Sequence, residues 1–481
     1  MFNMNNKTIM WFRQDLRLHD NPALLNSVNS GFILPVYIYD TTTPEEFIIG
    51  AASKVWLHHA INSLNQSLDS HLQVFIGDPK DILLKLIKKH TITQINWNRC
   101  YEKWQVERDT NIKQILHQQC ILVNSFNGSL LWEPWEALKS DGTPYKVFTP
   151  FYHNGCLTKE EPRKPLPKPQ NIKFVETLND TQINDIHLLP QIPWDKNIIA
   201  NWQVSEDAAL SKLHNFIENK IHDYKIGRDC PAHDFTSKLS PYLHFGQISP
   251  NTAWYIAKYS GFDNNIDIFL SELGWREFSY SLLYYFPDLH KENWQKKFDN
   301  FPWQTDISNL QLWQSGKTGI PIVDAGMREL WQTGHMHNRV RMIVASFLIK
   351  NLLIDWRHGA KWFWNTLFDA DLASNSASWQ WVAGLGADAA PYFRIFNPVT
   401  QSQKFDLEGI YIRKYIPELK SLPNKYLFSP WAAPAEILST FGVVLGQDYP
   451  FPIVDLKESR EIALQGFKSL GNVISERVVV L

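Results

Sequence analysis

The sequence predicts an α/β domain built on a parallel sheet, followed by an all-α domain. Three observations predict it. Short apolar runs rich in β-branched and aromatic residues alternate with helical-period stretches through the first third of the chain. A proline-rich, mixed-charge segment then interrupts the pattern, and beyond it apolar residues recur at helical spacing with few β-rich runs. With 481 residues and 44% hydrophobic content, the chain also exceeds what one core fills, since single cores stop growing near roughly 250–300 residues.

The expected strands are Thr8–Phe12, Phe32–Tyr39, Gln73–Ile76, Gln94–Trp97 and Ile121–Phe126, with helical stretches such as Ser53–Leu68 and Asp81–Lys89 between them. Strands separated by helices pair in parallel through crossovers. The turn after the first strand reads Arg13-Gln14-Asp15-Leu16-Arg17. It has no glycine, so the sheet lacks the dinucleotide fingerprint. Four prolines in KEEPRKPLPKPQ, from Lys159 to Gln170, disfavour both helix and central strand and mark an interdomain linker. The expected division is 1–135 for the α/β domain, 136–200 for the linker and 201–481 for the helical domain. Ser249-Pro250, Gly316 and Pro321 punctuate the helical part, and Gly384-Leu385-Gly386 reads as a tight turn.

Several function classes are excluded early. The N-terminal apolar run is too short and too quickly charged for a signal peptide or membrane span, so a soluble, cytoplasmic protein is expected. Cys100, Cys120, Cys156 and Cys230 form no CxxC pair, which argues against a disulfide framework or a zinc site. A net charge of −2 argues against coating nucleic acid by bulk electrostatics while permitting a local basic patch. The 20 tryptophans serve packing and also suit stacking on planar ligands.

Three segments carry candidate chemistry. In Asn338–Lys350, Val340, Ile343, Val344, Phe347 and Leu348 form one apolar stripe, with Asn338, Arg341, Met342 and Ala345 opposite on a face that reads first as ordinary surface. In Ile266–Leu283, Glu272, Trp275, Arg276 and Ser279 share a face, either as an exposed ion pair flanking a packed indole or as a pocket wall. Asp369-Ala370-Asp371 through Asn375, followed by Trp379-Gln380-Trp381, reads as a helix start with a packed helix behind it. No further ligand follows there at metal spacing.

Taken together with WFRQDLRLHDNPAL (Trp11–Leu24), YKVFTPF (Tyr145–Phe151), TSKLSPYLHFGQISP (Thr236–Pro250), ELGWREF (Glu272–Phe278), GIPIVDAGMREL (Gly319–Leu330), MHNRVRM (Met336–Met342) and WQW…DAAPYFRIFNP (ending at Pro398), these segments resemble the photolyase and cryptochrome family over nearly the whole chain. The match is most similar to the class I cyclobutane pyrimidine dimer photolyases of bacteria.

The resemblance implies an N-terminal antenna domain and a helical domain holding FAD, with light-driven splitting of pyrimidine dimers in UV-damaged DNA by a monomer. It implies that Tyr224, Thr236, Ser237, Lys238, Leu239 and Ser240 hold the FAD phosphates, that Arg341 and Asp369 pair beside the flavin ring, that Asp371 lies at its polar edge and that Asn375 faces flavin N5. Glu272, Trp275, Asn338, Met342 and Trp381 match the dimer pocket, Trp275 also counting toward the cofactor site. Arg228, Arg276, Arg339 and Arg394 match contacts around that pocket, the DNA backbone being the partner for several. Trp303, Trp356 and Trp379 match an electron-carrying chain. Lys238 stands where Arg is common, and His335 where many relatives have Trp. Trp104 and Gln105 replace the Asn-Glu pair of folate-binding members, so the second chromophore is methenyltetrahydrofolate or a deazaflavin.

Three rivals are weighed against this. A signalling cryptochrome is disfavoured by Asn375, by the retained Glu272, Asn338 and Met342, and by the lack of a low-complexity tail before Leu481. A (6-4) photolyase needs a second histidine where Asn338 stands. A base-stacking module without redox chemistry would bind no flavin.

Overall fold

The computed structural model describes residues 6–177, 182–389 and 394–477. Two compact units make up the chain: Met1–His222 with Ser237–Pro287 and Phe368–Asp371, and Asp223–Thr236 with Asp288–Leu367 and Leu372–Leu481.

The first unit is organised on five parallel strands, β1 (Lys7–Phe12), β2 (Phe32–Asp40), β3 (Gln73–Gly77), β4 (Gln94–Asn98) and β5 (Leu122–Phe126), in the order β3-β2-β1-β4-β5. Helices α1 (Pro22–Ser30), α2 (Ala51–Ser67), α3 (Pro79–His90) and α4 (Lys103–Gln118) connect them. Each expected strand is present to within a residue at either end. Ile9, Trp11, Leu34, Val36, Ile95 and Trp97 belong to one core cluster; β1 and β2 accordingly read as near-continuous apolar runs, whereas in β4 the buried Gln94, Asn96 and Asn98 alternate with Ile95 and Trp97. Asn21 caps α1 by accepting from Leu24 N at 3.1 Å, and Pro22 follows at the first helical position, where its missing N–H is no loss.

Asp20, fully buried, shows why the proline-rich segment does not hang between domains. Its Oδ1 accepts from Arg163 Nη1 at 2.6 Å and Leu166 N at 2.8 Å, and its Oδ2 from Ser249 Oγ at 2.5 Å. The prolines keep the segment extended, and these bonds tie it to the first unit. Packing thus divides the chain along other lines than 1–135, 136–200 and 201–481: the first unit also takes in 136–222 and 237–287.

Strand order reverses between β1 and β4, where open α/β sheets ordinarily seat a ligand at the strands' carboxyl ends. Here the chain fills that crevice itself. Leu16 N donates to Phe245 O at 3.2 Å and Arg17 Nη1 to Gly246 O at 2.9 Å. A Cβ on Gly246, whose φ is +69°, would fall 2.1 Å from Gln14 O. The absence of a glycine-rich turn after β1 has its physical counterpart in this plug. The unit's long helix, α5 (Asn264–Tyr285), extends two residues beyond the expected helix at each end.

In the second unit, α7 (Asn338–Lys350) is packed by α6 (Pro321–Thr333), α8 (Trp356–Thr366), α9 (Leu372–Ala383) and α10 (Pro398–Phe405). The apolar stripe of α7 is buried as expected. Ala345, Ser346 and Lys350 are buried too, so the open side of this helix is confined to its first turns. After α9 the chain turns sharply: Leu385 N and Gly386 N both donate to Gln380 O, at 3.2 and 2.9 Å, with Gly384 at φ +83°. Among the described residues no helix is long and apolar enough to cross a membrane.

Candidate functional site

In the first unit, five expected cofactor residues, Lys238, Leu239, Ser240, Asp369 and Asp371, come together around a short helix, Ser240–His244. Lys238 takes φ +52°, rare for a residue with a side chain, and Leu239 follows in the right-handed region. Such alternation turns successive N–H groups toward one concave side that suits an anion. Ser240 Oγ donates to Asp369 Oδ2 at 2.5 Å. At the helix's other end His244 Nδ1 lies 3.8 Å from Asp371 Oδ2, and Tyr280 of α5 donates its hydroxyl to the same oxygen at 2.6 Å. Burial disfavours the Asp371 charge, but the His244 ring, the Tyr280 hydroxyl and Arg276 together hold its carboxyl well below the usual carboxylate range. The same burial, with Asp371 beside it, drives Tyr280 well above its ordinary value.

Glu102, just past β4, is pushed up to about 7 by burial, which outweighs the hydrogen bond from Trp104; the charge of Asp371 adds to the rise. Trp104 Nε1 donates to Glu102 Oε2 at 2.7 Å, while its ring stacks on Phe47 at 5.9 Å and lies under the Arg108 guanidinium at 5.1 Å. Beside it Gln105 is buried, and its Oε1 has no hydrogen-bond partner among the described residues.

Along α5, Glu272 is half-buried and Trp275 stacks on Phe148 at 3.8 Å with the planes 10° apart. Phe148 belongs to the YKVFTPF motif, which gives that motif a packing role. Arg276 donates through Nη1 to Ser129 O at 2.8 Å and Glu277 Oε1 at 3.0 Å, and its guanidinium lies 4.7 Å over the Tyr280 ring. With its side chain only 13% exposed, this arginine braces the unit's interior. Glu277, raised to about 7 by burial, also accepts from Leu131 N and Trp132 N at 2.8 and 3.2 Å.

The second unit places the remaining residues. Tyr224 is buried at the start of a one-turn helix, with the Arg228 guanidinium 5.5 Å over its ring, and Thr236 is half-buried. His337 caps α7, its Nδ1 accepting from Arg339 N at 3.3 Å, which leaves Asn338 exposed at the first helical position. Arg341 Nε donates to Met336 O at 2.7 Å. Arg339, Met342 and Arg394 line one cavity of about 440 Å³ together with Asp229, Asn397, Thr400, Lys404 and Phe405. Lys350, at the far end of α7, donates to Arg394 O, and Phe396 N donates to Ser346 Oγ at 3.4 Å, so α7 positions that wall of the cavity. Burial pushes the Lys350 ammonium down to about 7, helped by Arg394. Of the DAAPYFRIFNP motif, residues 390–393 lie outside the described residues.

On α9, Asn375 Nδ2 donates to Ala360 O at 3.1 Å and Trp381 Nε1 to Asp388 O at 3.1 Å. Trp379 is buried against Gly359, one turn along α8 from the buried Trp356, whose Nε1 donates to Asn293 Oδ1 at 2.9 Å. Gln304 N donates to Leu353 O at 2.8 Å and Gln304 bridges Ile354, which sets the half-buried Trp303 beside the strand entering α8. Of the three expected indoles, Trp379 and Trp356 are buried and Trp303 is partly open to solvent. His244, Tyr280, Glu102, Asp229 and Lys350 were not anticipated. His244 and Tyr280 carried a signal, within SPYLHFG and four residues after Arg276; the others become visible only through contacts distant in sequence.

A family profile described as the FAD binding domain of DNA photolyase matches residues 269–469, and one described as DNA photolyase matches residues 8–170. A deoxyribodipyrimidine photo-lyase of Agrobacterium fabrum is 45% identical over 96% of this chain and 98% of its own length. The chain belongs to the photolyase and cryptochrome family. Within that family, a class III photolyase crystal structure from Agrobacterium tumefaciens superposes with a TM-score of 0.93 at 44% identity, over 97% of this chain and 98% of that one. Cryptochrome-2 of Arabidopsis thaliana is 36% identical over 95% of this chain and 78% of its own. The family's α/β-plus-helical architecture is the one described above. The class I subtype expected from the motifs finds no support in these relatives, since the structural neighbour is a class III enzyme.

An FAD requirement is consistent with the residues present. His244 Nδ1 is buried with no hydrogen-bond partner among the described residues, next to a carboxylate held ionised, and the Lys238–Leu239 turn offers backbone N–H groups to an anion.

Proposed function

We propose that the protein is a deoxyribodipyrimidine photo-lyase that uses FAD and light to split cyclobutane pyrimidine dimers in DNA. The observation that carries this reading is the cavity lined by Arg339, Met342 and Arg394 at the open end of α7. It joins a soft apolar thioether to cations, which suits an extruded dimer and its flanking phosphates. Bound, reduced FAD would supply one excited electron to the dimer and regain it after the ring opens, so the reaction is redox-neutral.

The chain's own residues bind, orient and shield. Tyr224, Thr236, Ser237, Lys238, Leu239 and Ser240 hold the cofactor's phosphates; Arg341, Asp369 and Asp371 fix its ring, and Asn375 offers N5 a neutral amide that forces no proton onto it. Glu272, Trp275, Asn338, Met342 and Trp381 receive the dimer. Arg228, Arg339 and Arg394 neutralise phosphates, whereas Arg276 acts as a brace. Trp379, Trp356 and Trp303 carry electrons inward to the oxidised cofactor. The similarity to a class III structure favours that subtype over class I. A second chromophore, methenyltetrahydrofolate or a deazaflavin, serves as antenna, and the protein works as a cytoplasmic monomer.

The test is illumination of chemically reduced protein with DNA carrying thymine dimers or (6-4) products. Thymines are restored from the former alone. Repair of only the latter, or of neither, overturns the reading; a signalling cryptochrome predicts light-driven spectral change without repair.

A further inference from the structure

The cationic cavity at α7 contains one acidic lining residue, Asp229, among Arg339, Arg394 and Lys404. A carboxylate is a poor choice for a wall that receives phosphates unless it does something to the cations around it. Arg339 Nη2 and Nε both reach a single oxygen, Asp229 Oδ1, at 2.6 and 3.2 Å. That is not the parallel two-oxygen fork of a saturated arginine–carboxylate pair. It leaves Nη1 without a hydrogen-bond partner among the described residues. The guanidinium also lies over the Phe405 ring, its Cζ 4.4 Å from the centroid, so the aromatic and the acid both restrain it. Asp229 is itself fixed: it follows the one-turn helix Tyr224–Gly227, and its N–H donates to Ile226 O at 3.3 Å. Neither partner is deeply buried, with side chains 20% and 35% exposed, so a phosphate can reach the pair from solvent.

We propose that Asp229 is a positioning residue that pre-orients Arg339 and, by like-charge repulsion, holds off phosphates that are not pressed into the cavity, so that it sets discrimination between damaged and undamaged DNA. This rests on the photolyase reading. A backbone that merely passes the cavity meets an arginine already half-neutralised and an opposing carboxylate. A backbone bent around an extruded lesion brings its phosphate to Nη1 and gains the pre-oriented donor.

The experiment measures binding of holoprotein, in the dark, to matched duplexes with and without a thymine dimer over a range of salt, for wild type, Asp229→Asn, Asp229→Ser, Arg339→Ala and the Asp229→Asn/Arg339→Ala double variant. Flavin absorbance and thermal midpoint establish that each variant is folded, and Asp229→Ser stands in should the Asn variant fail to fold. Removing the acid is expected to tighten binding to undamaged duplex by roughly tenfold at low salt while changing lesion binding far less, and to steepen the slope of log K against log salt by up to about 0.9, one phosphate's worth. Arg339→Ala makes the slope shallower, and adding Asp229→Asn to it restores nothing. If Asp229→Asn weakens both duplexes equally at unchanged slope, or changes neither, the acid is a structural brace and the proposal fails. If wild type itself shows no preference for lesion DNA, it is the photolyase reading that fails.

Discussion

Replacing Gly359 by alanine sets two opposed effects against each other in one helix turn. In the middle of α8, Gly→Ala ordinarily gains about 0.5–1 kcal/mol, because glycine loses more backbone freedom on folding. Here the added Cβ would lie 2.1 Å from Cη2 and 2.5 Å from Cζ3 of Trp379, and 2.7 Å from Leu348 Cδ2. An indole cannot bend, so reaching ordinary van der Waals separation requires the ring to retreat by more than about 1 Å. It is boxed in by Phe363 at 4.9 Å and Trp313 at 6.4 Å, both edge-on. Overpacking of this kind costs roughly 1–3 kcal/mol, so the clash outweighs the propensity gain and leaves a net loss of up to about 2 kcal/mol. The displaced ring is one of the three indoles proposed to carry electrons to the cofactor. Gly359→Ala is therefore expected to lower the thermal midpoint and to slow photoreduction of oxidised flavin, while chemically pre-reduced variant still repairs. The assay pairs thermal unfolding with bleaching of the flavin band under blue light and an external reductant. A variant more stable than wild type that photoreduces at the wild-type rate would falsify the packing argument.

Two further outcomes follow from buried polar groups. Burial pushes Lys350 from 10.5 down to about 7, so between these values the unfolded chain binds more protons than the folded one and stability rises with pH; from about pH 6 to about pH 9 this group adds roughly 2–3 kcal/mol. Lys350→Met should lack that rise, and thermal midpoints across this range that run parallel in the two proteins would show the ammonium already solvated. At the Trp104–Gln105 site, a pterin would meet an indole already engaged by Phe47 and Glu102, and each buried group left unpaired costs about 1–3 kcal/mol. Incubation with methenyltetrahydrofolate followed by removal of excess should leave little near-ultraviolet band, and tight, stoichiometric retention that Gln105→Ala weakens would show these substitutions to be compatible with folate.

The parts of this fold that were legible in the sequence are those set by local pattern. β1 and β2 are buried on both faces and so read as apolar runs, while β4 was legible through Ile95 and Trp97 although buried polar residues alternate with them. Asn21-Pro22 announces the start of α1 by its capping chemistry. The helical period gave α7 its bounds to the residue. What the period could not give is which side of α7 meets solvent, because Ser346 and Lys350 are covered by chain some fifty residues on. The same holds at the site. Ser240, Asp369 and Asp371 were named through motifs, but the partners that set their chemistry, His244 and Tyr280, are joined to them only by folding. Prolines 162–169 kept the segment extended as read, yet extended chain packs as readily as it links, and nothing local reveals the buried Asp20 that anchors it.

The Phe245-Gly246 plug has a bearing on how this protein can be taken apart. Modular grafting of a light-harvesting domain would naturally cut after the sheet, near residue 135 or 200. Such a fragment would carry away five strands and leave behind the turn that seals them, exposing the Gln14 backbone and the guanidinium of Arg17, which in the intact chain donates to Gly246 O at 2.9 Å. The smallest transplantable piece is accordingly discontinuous: the sheet with its helices, plus 237–287 spliced in through a short synthetic join. Chimeras built on the simple N-terminal cut should aggregate for want of a stopper, whatever pigment they were meant to hold.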